Sequence, residues 1–247
     1  MSSQNSLWVD APFKLIPVPG LGTPVENLPG AVFIAQDMAC AHNGLLRSLN
    51  SIYLQAPFVS SPKDIKDFLL YTKFWCDWIE DHHSAEEKYF FPQVEEAAGV
   101  PGLMEVNINQ HNAFMGGLEA LNHYAKNTKV EDYDATKLRS TIDSFGHVFT
   151  EHLTDEIQTL LKLDLYDTNK MVNIYKAFEA EIKKGDKHVL FPMVLGSGDN
   201  SLIHWPRVPA PVPYLVHYIF EWKYSGAWRF SPSTTWGNRR PLAFTRN

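Results

Sequence analysis

Two stretches of the chain place a histidine four residues ahead of a glutamate: His82 with Glu86, in HHSAE, and His152 with Glu156, in HLTDE. Four residues is about one helical turn, so each imidazole shares a face with its carboxylate. His42 and His111 stand alone, but each sits on an apolar stripe, between Met38 and Leu45 and between Ile108 and Phe114. The same spacing leads from Ile79 to His82 and Glu86, and from Phe149 to His152, Glu156 and Leu160. Four stripes thus each turn one histidine inward, and two of them also turn in a glutamate. A single histidine on an apolar face is usually a satisfied core residue. Four aligned histidines with two aligned glutamates are not, because a buried carboxylate without a partner costs roughly several kcal/mol. Either the six groups hydrogen-bond one another, or they surround cations. A dinuclear site fits the count, with two carboxylates bridging and two imidazoles at each end, and these donors suit iron, manganese or zinc.

The register of the second stripe has one alternative, since His83 and Glu87 repeat the spacing of His82 and Glu86. Stepping back from Glu86 meets Ile79, Trp75 and Thr72, whereas stepping back from Glu87 meets Glu80 and Lys73. The apolar path favours His82 and Glu86 as the inward pair. His83 is left as a group behind the ligands or as a further imidazole.

These residues need helices to carry them. Periodicity predicts helices over about 31–55, 61–91, 103–126 and 134–163, and a fifth over 169–184. Ala56-Pro57 ends the first; Ser61-Pro62 caps the second, and Pro92 ends or kinks it. Four long helices with inward stripes predict an all-α, antiparallel four-helix bundle spanning 30–165. Residues 1–29, with five Pro, read as an extended arm lying on the surface. Residues 166–247 hold the fifth helix and then a Pro- and Trp-rich stretch that is expected to pack on the bundle. The paired Gly116-Gly117 in the third helix is read as close helix packing or as room for a small-molecule path. His147 and His123 fall off the stripes, and His188, His204 and His217 lie outside the bundle.

Composition narrows the partners. The 247 residues carry a net charge of −6 without a basic run, which argues against nucleic acid. No window is apolar enough for a membrane span, and the N-terminus lacks a secretory pattern, so a cytoplasmic location is expected. Cys40 and Cys76, the two cysteines, read as buried apolar residues rather than a disulfide framework.

The order His, His-x-x-x-Glu, His, His-x-x-x-Glu resembles the hemerythrin/HHE cation-binding family. AHNGLLRSLN (41–50), HHSAEEKYFFP (82–92), QHNAF (110–114) and EHLTDE (151–156) resemble its four helices in order. The resemblance implies a hemerythrin-like bundle and a non-heme centre of two iron ions, with His42, His82, Glu86, His111, His152 and Glu156 as ligands. Two departures from the oxygen carrier of that family matter. Asn107 stands where the carrier has a second third-helix histidine, and Glu156 follows His152 by four residues where the carrier has an Asp at five. A centre with four imidazoles keeps open positions. That points away from reversible carriage and towards a centre that binds or activates O2, or another small diatomic ligand, with a small organic substrate held under the aromatic tail. A non-catalytic module that binds or senses oxygen, nitric oxide or iron is the competing expectation.

Overall fold

The computed structural model describes residues 8–245. Its regular elements are helical: α1 (Gly30–Gln55), α2 (Pro62–Ala85), α3 (Phe91–Ala98), α4 (Glu105–Asn127), α5 (Ala135–Leu161) and α6 (Thr168–Ile182), followed by short helical pieces. Local chemistry sets several starts. The Ser61 hydroxyl accepts from the Asp64 amide, the Asp134 carboxylate from Thr136 and Lys137, and the Asp167 carboxylate from Asn169 and Lys170. Each cap satisfies backbone donors that the first turn leaves without partners.

The predicted second helix differs in one respect. Between α2 and α3 lies a π turn, Glu86–Phe90, closed by the Phe91 amide donating to the Glu86 carbonyl. Pro92 has no N–H to give the carbonyl four residues back, and its ring crowds that carbonyl. The helix responds by widening upstream of the proline rather than ending there. π turns of this kind occur mostly as single turns within helices, frequently at functional sites.

Helix α4 packs on α5 and α2, α5 also packs on α1, and α6 lies against α1. Trp75, Phe114 and Phe149 are fully buried between them, and the Trp75 ring meets Phe149 edge-on at 6.0 Å. Gly117 lets α4 approach α5 closely, because a Cβ there would come within 2.5 Å of the Phe145 Cβ. Gly116 faces open space. Of the two readings of the glycine pair, close packing is the one that Gly117 satisfies, with Phe145 filling the room a path would need.

Helix α1 carries a second, polar stripe that grips the chain before and after the bundle. The Asn50 amide takes the Phe13 N–H and donates to the Val9 and Phe13 carbonyls at 2.7–2.9 Å. Asn43 exchanges two hydrogen bonds with the Ile16 backbone. Ser51 and Gln55 both donate to the Phe230 carbonyl, and Asp37 accepts from Trp205 and Arg207. The arm was expected on the surface, but Phe13 and Ile16 enter the core. Hydrogen bonds from Asn43 and Asn50 satisfy the buried arm backbone and so permit this entry.

Cys40 and Cys76 are free and buried, and burial pushes the Cys40 thiol up to about 12. No helix of the described residues is long and apolar enough to cross a membrane.

Candidate metal centre

The six residues singled out by spacing converge in the middle of the bundle, and a seventh joins them. His42 comes from α1, His82 and His83 from the end of α2, Glu86 from the π turn, His111 from α4, and His152 and Glu156 from α5. All seven are buried. Their ring nitrogens fall into two groups. In one, the Nε2 atoms of His42 and His82 are 3.4 Å apart, with Glu86 beside them. In the other, His83, His111 and His152 come together, the Nε2 atoms of the last two 3.1 Å apart.

The two glutamates span the groups. Glu86 puts Oε1 3.0 Å from His82 Nε2 and Oε2 3.7 Å from His111 Nε2. Glu156 Oε2 lies 3.4 Å from His42 Nε2 and 3.7 Å from His152 Nε2. Each carboxylate therefore reaches both clusters, the placement that a bridge between two cations requires.

Hydrogen bonds on the far side of the rings decide what faces inward. His42 Nδ1 donates to the Leu153 carbonyl at 2.9 Å, and His83 Nδ1 to the Ile79 carbonyl at 3.0 Å. His111 Nδ1 donates to Glu87 Oε1 at 2.7 Å, and His152 Nδ1 pairs with Gln110 Oε1 at 3.3 Å. A carbonyl or carboxylate only accepts, so Nδ1 carries the proton and each neutral ring turns a lone pair inward at Nε2. Burial, the largest cause in each case, holds all five imidazoles in their neutral form. It pushes His82 down to about 4, and His42, His83 and His152 well below their ordinary range. His111 is also lowered, against the opposing pull of Glu87.

The carboxylates are the other half of the test. Among the described residues none gives a hydrogen bond to any oxygen of Glu86 or Glu156, although all four are shielded from solvent. Burial drives both acids well above the usual carboxylate range, helped by the charge of Glu87 at Glu86 and by that of Glu86 at Glu156. Lone pairs converging on carboxylates that lack donors cannot form a satisfied hydrogen-bond network. Cations at the two clusters would give the converging lone pairs and the carboxylates the partners they lack, so the residues fit a metal pair.

The choice between His82 and His83 proves to be no choice. On a helix, Glu86 lies about 40° around from His82 and about 60° from His83, between the two rings. Each imidazole joins one of the two clusters, and His83 Nε2 has no hydrogen-bond partner among the described residues. Spacing alone leaves His83 open and gives four imidazoles. The structure gathers five, the adjacent His-His pair being the signal. Glu87 is not a rival for Glu86 but the half-exposed acceptor behind His111. Asn107, one turn before His111, is buried with both ends of its amide unpartnered among the described residues. His147 packs its ring against Phe13 at 6.1 Å, and neither it nor His123, His188, His204 or His217 joins the clusters.

Comparison with known proteins agrees with this geometry. The family model described as "Hemerythrin HHE cation binding domain" matches residues 36–163. A curated relative, "Dimeric xanthone biosynthesis cluster protein R11" of Cryptosporiopsis sp. (strain 8999), is 39% identical over 243 residues, covering 96% of this chain and 93% of the relative. No solved structure matches. Four helices delivering histidines and glutamates to one buried point, and a family match across the segment that holds them, establish that the chain belongs to the hemerythrin HHE cation-binding domain family.

Proposed function

We propose that this protein is a non-heme di-iron protein that binds and activates O2 and uses it to oxidise a small organic substrate. The observation that carries the reading is the pair of clusters, His42/His82 and His83/His111/His152, joined by two buried glutamates without hydrogen-bond donors. Bound iron would supply the electrons that O2 needs before it reacts with a closed-shell organic molecule. The protein's part is to keep five imidazoles neutral, four of them held by their Nδ1 protons, to keep water from the carboxylates, and to leave the Asn107 amide unspent one turn from His111. The relative named for a biosynthetic cluster supports a role in making a metabolite.

In this reading α1, α2, α4 and α5 form an antiparallel four-helix metal domain over 30–165. The arm and the segment after 166 pack on it, and the protein works in the cytoplasm. Iron is the metal proposed, with manganese and zinc also suited to the donors.

The fifth imidazole favours a second reading, non-catalytic binding or sensing of O2, nitric oxide or iron. His83 restores the number of imidazoles that the oxygen carrier has, which fills a position that four would leave open at one cluster and leaves the His42/His82 end with two. Metal analysis of anaerobically purified protein, followed by exposure to O2 under an optical probe, separates the two. About two irons per chain and oxygen uptake that continues with substrate support the oxidase. An optical change that reverses on deoxygenation, with no sustained uptake, would overturn it in favour of the binding module.

A further inference from the structure

A cavity of about 230 Å³ lies between α1, α2, α6 and residues 190–208, with His82 in its wall. Six aromatic side chains line it: Phe33, Trp78, Tyr175, Phe178, Phe191 and Trp205. Of these only Trp78 belongs to the segment matched by the family model; the others come from the first turn of α1, ahead of that segment, from α6 and from the chain beyond. Most of the aromatic wall thus lies outside the matched segment, and the similarity to the curated relative is long enough to include it.

We propose that this cavity is a binding site for a planar, hydroxylated ring system of two or three fused aromatic rings. The inference rests on the oxidase reading above and names the substrate class of that same centre. Three features support a flat aromatic ligand. First, the walls are fixed before anything binds. Asp37, buried at the cavity edge, accepts from the Tyr175 hydroxyl at 3.0 Å, the Trp205 indole at 3.0 Å and Arg207 at 3.1 Å. Its carboxylate is saturated, so it serves as a clamp that sets two ring planes rather than as a ligand for substrate. Aromatic faces held in this way favour stacked and edge-on contacts with another ring. Second, the volume is below the usual range for a drug-sized pocket, about 300–1,000 Å³. That suits a compact ring system better than an extended chain. Third, the polar groups left over sit together. Glu179 on α6 and Lys183 just past its end, one turn apart, pair at 3.2 Å and remain partly exposed. They offer an acceptor and a cation to a ring hydroxyl or its phenolate.

Orientation follows from the same wall. Phe178 stands 6.2 Å from the His82 ring, centroid to centroid, and stacks on Phe90 at 5.1 Å. A ring seated against Trp78 and Phe178 would therefore lie beside the His42/His82 end of the centre, not the end holding His83, His111 and His152.

The test is calorimetric titration of the full chain, iron-loaded and kept anaerobic, with 3-hydroxyxanthone, xanthone and decanoate as probes. Binding is read without oxygen, so failure to consume O2 bears on the proposed function and failure to bind bears on the cavity. The expected result is micromolar binding of 3-hydroxyxanthone, weaker binding of xanthone, and none of decanoate. Val208→Trp and Leu190→Phe, which fill the cavity from two walls, should each weaken 3-hydroxyxanthone at least tenfold with metal content and melting temperature unchanged. Glu179→Gln combined with Lys183→Met should erase the preference for the hydroxylated ring. No binding of 3-hydroxyxanthone, equal binding of decanoate, or binding indifferent to both filling variants would overturn the proposal.

Discussion

The Nδ1 of His111 lies 2.7 Å from Oε1 of Glu87, so a carboxylate on the π turn holds the ring of an imidazole on α4. The pair fixes the tautomer of His111 and makes its inward nitrogen a better donor. Glu87 is half-exposed, and its removal leaves the core packing alone. We expect Glu87→Gln to keep the fold but to lower metal affinity about 10–100-fold, as removing such outer partners does. Competition with a chelator of known affinity would measure this, and an unchanged affinity would rule out the role.

His83 is expected to be a ligand rather than a bystander. In His83→Ala the cluster of His83, His111 and His152 loses one of its three nitrogens. Iron content should fall from about two per chain towards about one, because the poorer site no longer competes for metal. His147→Ala, on the same bundle but outside the clusters, should leave it unchanged. Elemental analysis of the two variants side by side gives the answer.

Metal removal should make stability depend on acid. The His82 imidazole, ordinarily near 6.5, is pushed down to about 4 by burial. Above 6.5 both folded and unfolded chains hold it neutral. Between 6.5 and 4 the unfolded chain binds a proton that the folded chain refuses, so stability falls as pH falls through that window. The other buried imidazoles shift in the same direction and add to the loss. Glu86 and Glu156 act oppositely: raised in the folded state, they weaken the metal-free fold as pH rises through their shifted range. Denaturant titration of chelator-treated protein across pH should show a maximum. The metal-loaded protein, whose ligands are committed, should be more stable throughout.

The two neighbouring glycines of α4 should respond in opposite directions. Gly116→Ala meets open space and gains helix propensity, for a stabilisation of roughly 1 kcal/mol. Gly117→Ala drives a methyl into Phe145 and should destabilise by about 1–3 kcal/mol, the usual cost of overpacking. Thermal melts of both variants check the sign, and metal content should stay the same in Gly116→Ala.

Much of this was legible from spacing. His42, His82, Glu86, His111, His152 and Glu156 repeat with the apolar stripes, and an inward stripe is what periodicity reports best. His83 was harder, because a 3.6-residue period treats neighbouring residues as alternatives, whereas a carboxylate four residues on can sit between two rings. The π turn was hidden for a different reason. Pro92 announces a disturbance, but whether the helix stops, bends or widens depends on what its last turn packs against. The aromatic cavity had no periodic signal, since its walls come from Phe33, α6 and a stretch after residue 190 that meet only in three dimensions. The polar stripe of α1 gives no signal in the sequence, because Asn43, Asn50, Ser51 and Gln55 look like a solvent-facing side until the rest of the chain covers it.

That stripe has a consequence for how the molecule comes apart. Asn50 and Asn43 hold the N-terminal arm, Ser51, Gln55 and Asp37 hold segments near the C-terminus, and another face of the same helix carries His42. Loosening either end of the chain would leave buried amides and carbonyls of α1 without partners while the metal ligand on it stayed in place. The backbone amides of the arm, α1 and the Phe230 region should therefore exchange with solvent as one cooperative unit. Metal binding at the centre of the bundle should slow that exchange as far out as Val9.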